Sequence, residues 1–181
     1  MPHPAATIVL LAGSEPFSVL MVKRPPGGLF GEAWVFPGGL VDEADGDGEA
    51  AYRAAAVREL REEVAVEVDS NGLVYLSRWI TPELAPRRYD TWFFLAAIPE
   101  SIEVAPVTEE ITDARFVTPA TALAAHQAQH WKLVLPTLSH LQWLARHSSA
   151  ETAMAAAPAS RSPVEPRLAP DGSVVALDLP W

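Results

Sequence analysis

The stretch on which the fold turns is Arg58-Glu59-Leu60-Arg61-Glu62-Glu63. It closes an alanine-rich run from Ala50 to Val64 whose composition favours a helix. A helix there places Glu59, Glu62 and Glu63 at i, i+3 and i+4, turned to one side within about one turn of each other. Three like charges so close repel, and they would weaken an ordinary surface helix. A divalent cation removes the conflict, and hard carboxylate oxygens suit Mg²⁺ or Mn²⁺. Upstream, Phe36-Pro37-Gly38-Gly39 reads as a strand end followed by a glycine turn. Strand, glycine loop and carboxylate-loaded helix together make a candidate metal site. Ala51, Ala55, Leu60 and Val64 share another side of the same helix and predict packing against a sheet, with the small alanines allowing close approach.

The flanking sequence supplies that sheet. Thr7 to Leu11 and Ser18 to Val22 are apolar runs separated by Gly13-Ser14-Glu15-Pro16, which predicts a hairpin. Ala33 to Phe36 is a short strand stopped by Pro37. Asp42 to Gly48 is acidic and glycine-rich and reads as a solvated loop. Leu73 to Ile80 and Tyr89 to Ala97 predict two strands joined by the proline-containing loop from Thr81 to Arg88. Arg115-Phe116-Val117 is another strand. Thr118-Pro119 is an N-cap followed by proline at the first helical position, opening a helix toward His126. A last helix spans Leu133 to Arg146. His126, His130, His140 and His147 fall in or near these helices at spacings unlike a zinc site, and read as surface or packing residues. Interleaved strands and helices of this kind predict an α/β (α+β) fold with helices covering a mixed sheet.

Composition bounds the rest. The chain has 181 residues, 49% of them hydrophobic, enough for one domain with an appendage. A domain from 1 to 147 is expected. Residues 148–163 are rich in Ala, Ser and Pro and read as a linker. Residues 164–181 form a C-terminal extension. In it Val174 to Leu179 reads as a strand added to its own domain or to a second protomer, the latter making a homodimer. The net charge of −10 argues against nucleic acid polymers or anionic membranes as partners. No cysteine is present, so thiolate metal sites and disulfides are excluded. Ala5 to Leu11 is too short for a signal segment, and no apolar run reaches spanning length, so a cytoplasmic protein is expected.

The residues from Gly39 to Val66 resemble the Nudix box, which ends R-E-U-x-E-E-x-G-U, with U a bulky apolar residue. Arg58, Glu59, Leu60, Glu62, Glu63 and Val66 match that ending. Ala65 stands where the family has glycine, and the spacing from Gly39 to Arg58 is longer than usual, the excess falling in Asp42 to Gly48. Glu49 lies one position out of register with the mid-box glutamate. Trp79-Ile80-Thr81-Pro82, Pro86-Arg87-Arg88-Tyr89-Asp90-Thr91 and Phe93-Phe94-Leu95-Ala96 resemble the branch that includes coenzyme A diphosphatases. The resemblance covers roughly Ala5 to Arg146. It implies a Nudix-like α/β/α sandwich and Mg²⁺-dependent hydrolysis of the pyrophosphate linkage in a nucleoside diphosphate derivative, with coenzyme A or acyl-coenzyme A as the favoured substrate.

The expected site follows. Glu59, Glu62 and Glu63 supply metal carboxylates, and the Gly38 carbonyl adds a ligand. Arg58, i−4 to Glu62, holds that carboxylate in its ligating rotamer. Glu59 is the first choice for general base, and Glu109 or Glu110 for a further carboxylate. Arg87 and Arg88, then Lys23 and Arg24, are the candidates for binding substrate phosphates. Trp34, Trp79, Tyr89 and Trp92 are candidates to stack a base, against plain packing. The competing class is a nucleotide-sensing module that binds without turnover. The intact carboxylates and the lack of a DNA-binding segment favour the enzyme.

Overall fold

The computed structural model describes every residue except Leu29. Its centre is β1 (His3–Ala12), which no single neighbour covers on both edges. One edge runs parallel to the strand Tyr89–Ile98 along its whole length, from His3 opposite Tyr89 to Ala12 opposite Ile98. The other edge is shared. Ala5 to Thr7 pair antiparallel with Gly38–Leu40, whereas Leu11 and Ala12 pair with the start of Ser18–Lys23. The expected hairpin is therefore real only at its closed end. Beyond it the strands part, because the glycine strand takes the lower half of the edge.

In chain order the strands are β2 (Ser18–Lys23), β3 (Ala33–Val35), β4 (Gly38–Leu40), β5 (Val74–Ile80), β6 (Tyr89–Ile98), β7 (Asp113–Val117) and β8 (Lys132–Leu133). They form one mixed sheet in the order β5-β6-β1-β2-β3-β8, with β4 on β1 and β7 on β2. The helices are α1 (Gly48–Val64), α2 (Pro119–Gln127), α3 (Leu135–Leu144) and α4 (Ala150–Ala155). Thr118 caps α2 as expected, its hydroxyl accepting from the Thr121 N–H at 3.1 Å.

Two cores lie on opposite faces of the sheet, and β1 shows why its sequence is apolar without alternation. Ile8 and Leu10 face α1 and meet Ala55, Ala56, Leu60 and Val64. Val9 and Leu11 face the other way and join Leu141, Trp143 and Leu144. The α/β/α sandwich expected above is thus observed. Ala51, Ala55, Leu60 and Val64 are all buried, as the helix periodicity predicted. Leu60 has no exposed surface, so Leu60→Ala would cost about 2–5 kcal/mol. The helix ends at Ala65, whose φ of 57° is left-handed and whose N–H bonds to the Arg61 carbonyl at 2.9 Å. Alanine here adopts the turn that glycine would take more cheaply.

Three expectations are corrected. The acidic segment from Asp42 to Gly48 is not wholly solvated. It folds into a 3-10 turn (Glu43–Asp45), and the Asp45 side chain is 5% exposed because Arg58 grips it. The stretch 148–163 is not linker throughout. Ser149 caps α4, its hydroxyl accepting from Thr152 N–H, and Ala150 and Ala153 are buried in the core. The tail strand is shorter than expected and does not join the main sheet. Val174–Ala176 (β10) pairs with Arg167–Leu168 (β9) as a hairpin of the tail itself. Among the described residues no helix is long and apolar enough to cross a membrane.

His140 is a packing residue, and a fully buried one. Its Nδ1–H donates to the Pro136 carbonyl at 2.6 Å, so Nε2 accepts from the Ser77 hydroxyl at 2.7 Å. Ser77 Oγ in turn accepts from the Trp79 indole N–H at 3.2 Å. Burial holds the ring neutral and lowers its pKa to about 3. The unfolded chain protonates this ring below about pH 6.5 while the folded chain does not, so acid favours unfolding. We expect the stability advantage of the wild type over His140→Gln to grow between pH 4 and 6.5 by about 1.4 kcal/mol per pH unit. It should level off above pH 7. Urea denaturation of both proteins across that range measures it, and a flat difference would contradict the neutral buried ring.

Candidate active site

The end of α1 delivers acids into the protein rather than out of it. Glu59 is 9% exposed and Glu63 is 1% exposed, and both lie on the stripe that also carries Leu60 and Val64. Glu62 does not share that stripe. At about 100° per residue, Glu63 lies about 40° from Glu59 on one side, and Glu62 about 60° away on the other. The Glu62 side chain is accordingly 47% exposed. All three border one cavity of about 840 Å³, but to different depths.

A third acid meets the buried pair. Oxygens of Glu59, Glu63 and Glu110 lie within 4.8 Å of one another. Glu110 comes from the loop before β7. That loop is fastened by the Val107 N–H to the Glu63 carbonyl at 3.0 Å, and by the Thr112 N–H to the Lys23 carbonyl at 2.8 Å. Of the two glutamates expected near this strand, Glu110 is the one that converges on the cluster. The donor set is all carboxylate, two of its members are buried, and the three repel each other in the absence of a cation. That is the chemistry of a hard divalent ion's seat.

Arginines hold the acids in place. Arg58 donates to Glu59 Oε1 at 2.8 Å and to Glu62 Oε2 at 3.0 Å. It also grips Asp45 with two nitrogens, at 3.1 and 3.0 Å, and the Leu40 carbonyl at 2.8 Å. Its reach to Glu62 is the i,i+4 contact expected from the spacing. Its hold on Asp45 brings the box insertion into the site. Arg24 pairs with Glu63 Oε1 at 2.8 Å, and the Gly38 N–H donates to Glu63 Oε2 at 3.3 Å. The backbone beside Gly38 leaves no room for a side chain, and Gly39 leaves room for the Glu59 carboxylate. A Cβ on Gly39 would fall on the Glu59 carboxylate, and one on Gly38 would strike the Ala6 carbonyl.

Burial raises the pKa of Glu59 and pushes Glu63 up to about 8. For Glu63, desolvation outweighs the attraction of Arg24, and the neighbouring carboxylates Glu59 and Glu110 push the same way.

The expected substrate residues divide. Arg87 and Arg24 border the cavity. Arg88 is used structurally, donating to the Thr81 carbonyl at 2.8 Å and to Glu165 at 2.9 Å. Lys23 is absent from the lining, and its backbone pairs with Asp113 in β7. Among the aromatics, Tyr89 and Trp79 border the cavity. Trp34 is stacked on Trp131 with centroids 4.1 Å apart, and Trp92 on Tyr52 at 4.7 Å, both outside it. Glu49 is engaged by Arg53 and Arg161 at 2.7 and 3.0 Å, again away from the cavity. Sequence reasoning missed Phe30, an exposed cavity residue whose ring lies 6.0 Å from that of Tyr89. The one available signal was an aromatic in a Gly/Pro-rich loop.

Comparison with known proteins gives the family and the fold. The NUDIX domain family model matches residues 1–136, and the chain belongs to that family. A curated relative is "Putative nudix hydrolase 7" of Caenorhabditis elegans, 26% identical over 178 residues. The match takes in 78% of this chain but only 60% of that protein's length. A NUDIX hydrolase from Alicyclobacillus acidocaldarius superposes with a TM-score of 0.75 at 22% identity, over 86% of this chain and 96% of that one. The NUDIX domain of Shewanella oneidensis NrtR, complexed with ADP ribose, gives 0.63 at 19% identity, over 81% and 87%. At these identities the structural likeness speaks for the fold.

A metal ion entering this site must displace a proton from Glu63 below about pH 8. We therefore expect Mn²⁺ affinity to rise by about tenfold between pH 6.5 and 7.5 and to level off above pH 8. Calorimetric titration at each pH measures it. A pH-independent affinity would show that Glu63 is not displaced.

Proposed function

We propose that this chain hydrolyses the pyrophosphate linkage of a nucleoside diphosphate derivative, using Mg²⁺ or Mn²⁺. The convergence of Glu59, Glu63 and Glu110 at one side of a substrate-sized cavity is the observation that carries this reading. These three acids hold the metal, with Glu62 and the Gly38 carbonyl beside them. When bound, the ion neutralises diphosphate charge and activates the linkage toward water. The protein does the rest by position. Arg58 bonds Oε1 of Glu59 and so orients the carboxylate that we assign as general base. Arg87, in the lining of the same cavity, meets substrate phosphate, and Phe30 and Tyr89 flank the space for a base. A small-molecule nucleotide is thus the partner.

The favoured substrate is coenzyme A or acyl-coenzyme A. Its support is the resemblance of residues 79–96 and the apolar walls that Trp79, Pro82, Leu135 and Phe30 give the cavity. A panel of nucleotide and coenzyme A substrates, with products followed by mass in Mg²⁺, Mn²⁺ and EDTA, tests both levels. Binding without turnover would make the chain a nucleotide sensor instead, an outcome that the intact acid cluster argues against.

Three variants separate the roles. Glu63→Gln should lower kcat by about two orders of magnitude or more with the fold retained, since metal activation is worth several kcal/mol. Near wild-type turnover would remove Glu63 from the metal site. Arg87→Ala should raise KM more than it lowers kcat. Arg88→Ala should act on Tm instead, because its partners are Thr81 and Glu165. Steady-state kinetics with thermal melts distinguish the two arginines.

A further inference from the structure

Residues 164–181 fold back over the cavity, and none of the chemistry above uses them. The segment is fastened at both ends. Val164 adds to the edge of β5, its N–H donating to the Arg78 carbonyl at 2.7 Å and its carbonyl accepting from the Ile80 N–H at 2.9 Å. Beside it Glu165 pairs with Arg88 at 2.9 Å, joining the tail to the loop between β5 and β6. At the far end the Trp181 ring packs against His140 and Trp143, with centroids 5.1 and 5.7 Å apart. Between these anchors β9 and β10 close a hairpin in which Leu168 lies opposite Val174.

That hairpin is a wall of the catalytic cavity. Pro166, Leu168 and Val174 border the same space as Glu59, Glu63 and Arg87. All three are apolar, so the tail residues that line this cavity bring no ion-pairing group to it, and Arg167 and Asp178 border the adjoining hollow instead. Val174 is 45% exposed, Phe30 37% and Leu40 37%, and all three line this cavity. Water-facing apolar side chains gathered around one concave site mark a place where apolar surface is received. A charged group seated against Leu168 and Val174 would lose hydration without gaining a partner.

We propose that the hairpin Arg167–Ala176 is the specificity wall of the active site. Leu168 and Val174 seat an apolar arm of the moiety joined to the nucleoside diphosphate. The inference rests on the hydrolase reading only for the identity of the cavity, and its test does not need turnover.

The test uses the full chain and two pairs of ligands. One pair is the octyl ester of ADP and ADP-ribose. The other is the methylene-bridged analogue of each, which cannot be hydrolysed. In the wild type the octyl analogue should bind about tenfold or more tightly than the ribose analogue. Leu168→Asp and Val174→Asp should each cut that ratio by about tenfold, and the loss with the octyl ester should fall mainly on KM. Val174→Thr keeps shape and adds a hydroxyl at a half-exposed position, so it supplies the same comparison should an aspartate variant fail to fold. Equal wild-type affinity for the two analogues overturns the proposal, as does a ratio unchanged by all three variants. If neither ester is hydrolysed but the octyl preference is present and lost in the variants, the hydrolase reading fails and the wall stands.

Discussion

Burying two carboxylates one helical turn apart is the constraint on which this structure depends. Glu59 and Glu63 sit on the inner stripe of α1, where desolvation and mutual repulsion both oppose their ionised forms. Each is answered by an arginine, Glu59 by Arg58 and Glu63 by Arg24. Arg58 can face the site only because Asp45 and the Leu40 carbonyl fix its other nitrogens. The longer box therefore costs the site nothing. Its extra residues fold into the turn that presents Asp45. Removing one partner of a buried pair strands the other, a loss of about 3–5 kcal/mol in typical cases. The two acids thus bind the helix, the glycine strand, the acidic turn and the end of β2 into one unit.

The rest of the fold exists to bring those parts together. A parallel pairing between β1 and β6 needs a long crossover, and the chain between them supplies β2 to β5 and α1. Because both faces of β1 are buried, its register cannot slip without moving Ile8 and Leu10 out of the α1 core. β1 in turn fixes β4, and β4 sets Gly39 beneath Glu59, where a Cβ would push the carboxylate aside. Precision at the carboxylates is thereby inherited from the most buried strand of the sheet.

What the sequence disclosed was whatever repeats over a few residues. The helix over 50–64, its packing stripe and the caps of α2 follow from spacing alone. So do most strands and the Arg58–Glu62 contact. What it hid depends on contacts between distant residues. Nothing in Arg87-Arg88 tells the two apart until Glu165 claims one of them. Nothing in Glu109-Glu110 favours the second until Val107 and Thr112 tie the loop to Glu63 and Lys23. The outward turn of Glu62 follows from helical geometry, in which i+3 and i+4 fall on opposite sides of residue i. The Ala/Ser/Pro composition after His147 suggested a linker because it lacks bulk. Yet Ala150 and Ala153 are buried for that very reason, their small side chains fitting where larger ones would not.

The tail and the site also share a physical link through the interior. Trp79 borders the cavity, its indole N–H bonds to Ser77, and Ser77 bonds to His140. His140 is in turn the ring against which Trp181 packs. A polar chain buried this deeply is stable only when each member has its partner. The Pro136 carbonyl fixes the tautomer of His140, and Ser77 serves both neighbours with one hydroxyl, donating to His140 and accepting from Trp79. Any shift that unseats Trp181 therefore acts on the setting of a cavity residue without touching a carboxylate. Trp181 is coupled to the cavity by packing and hydrogen bonds, whereas Glu59 and Glu63 are held by charge. The two walls of the cavity are secured by different forces, and their responses to salt and to acid should differ accordingly.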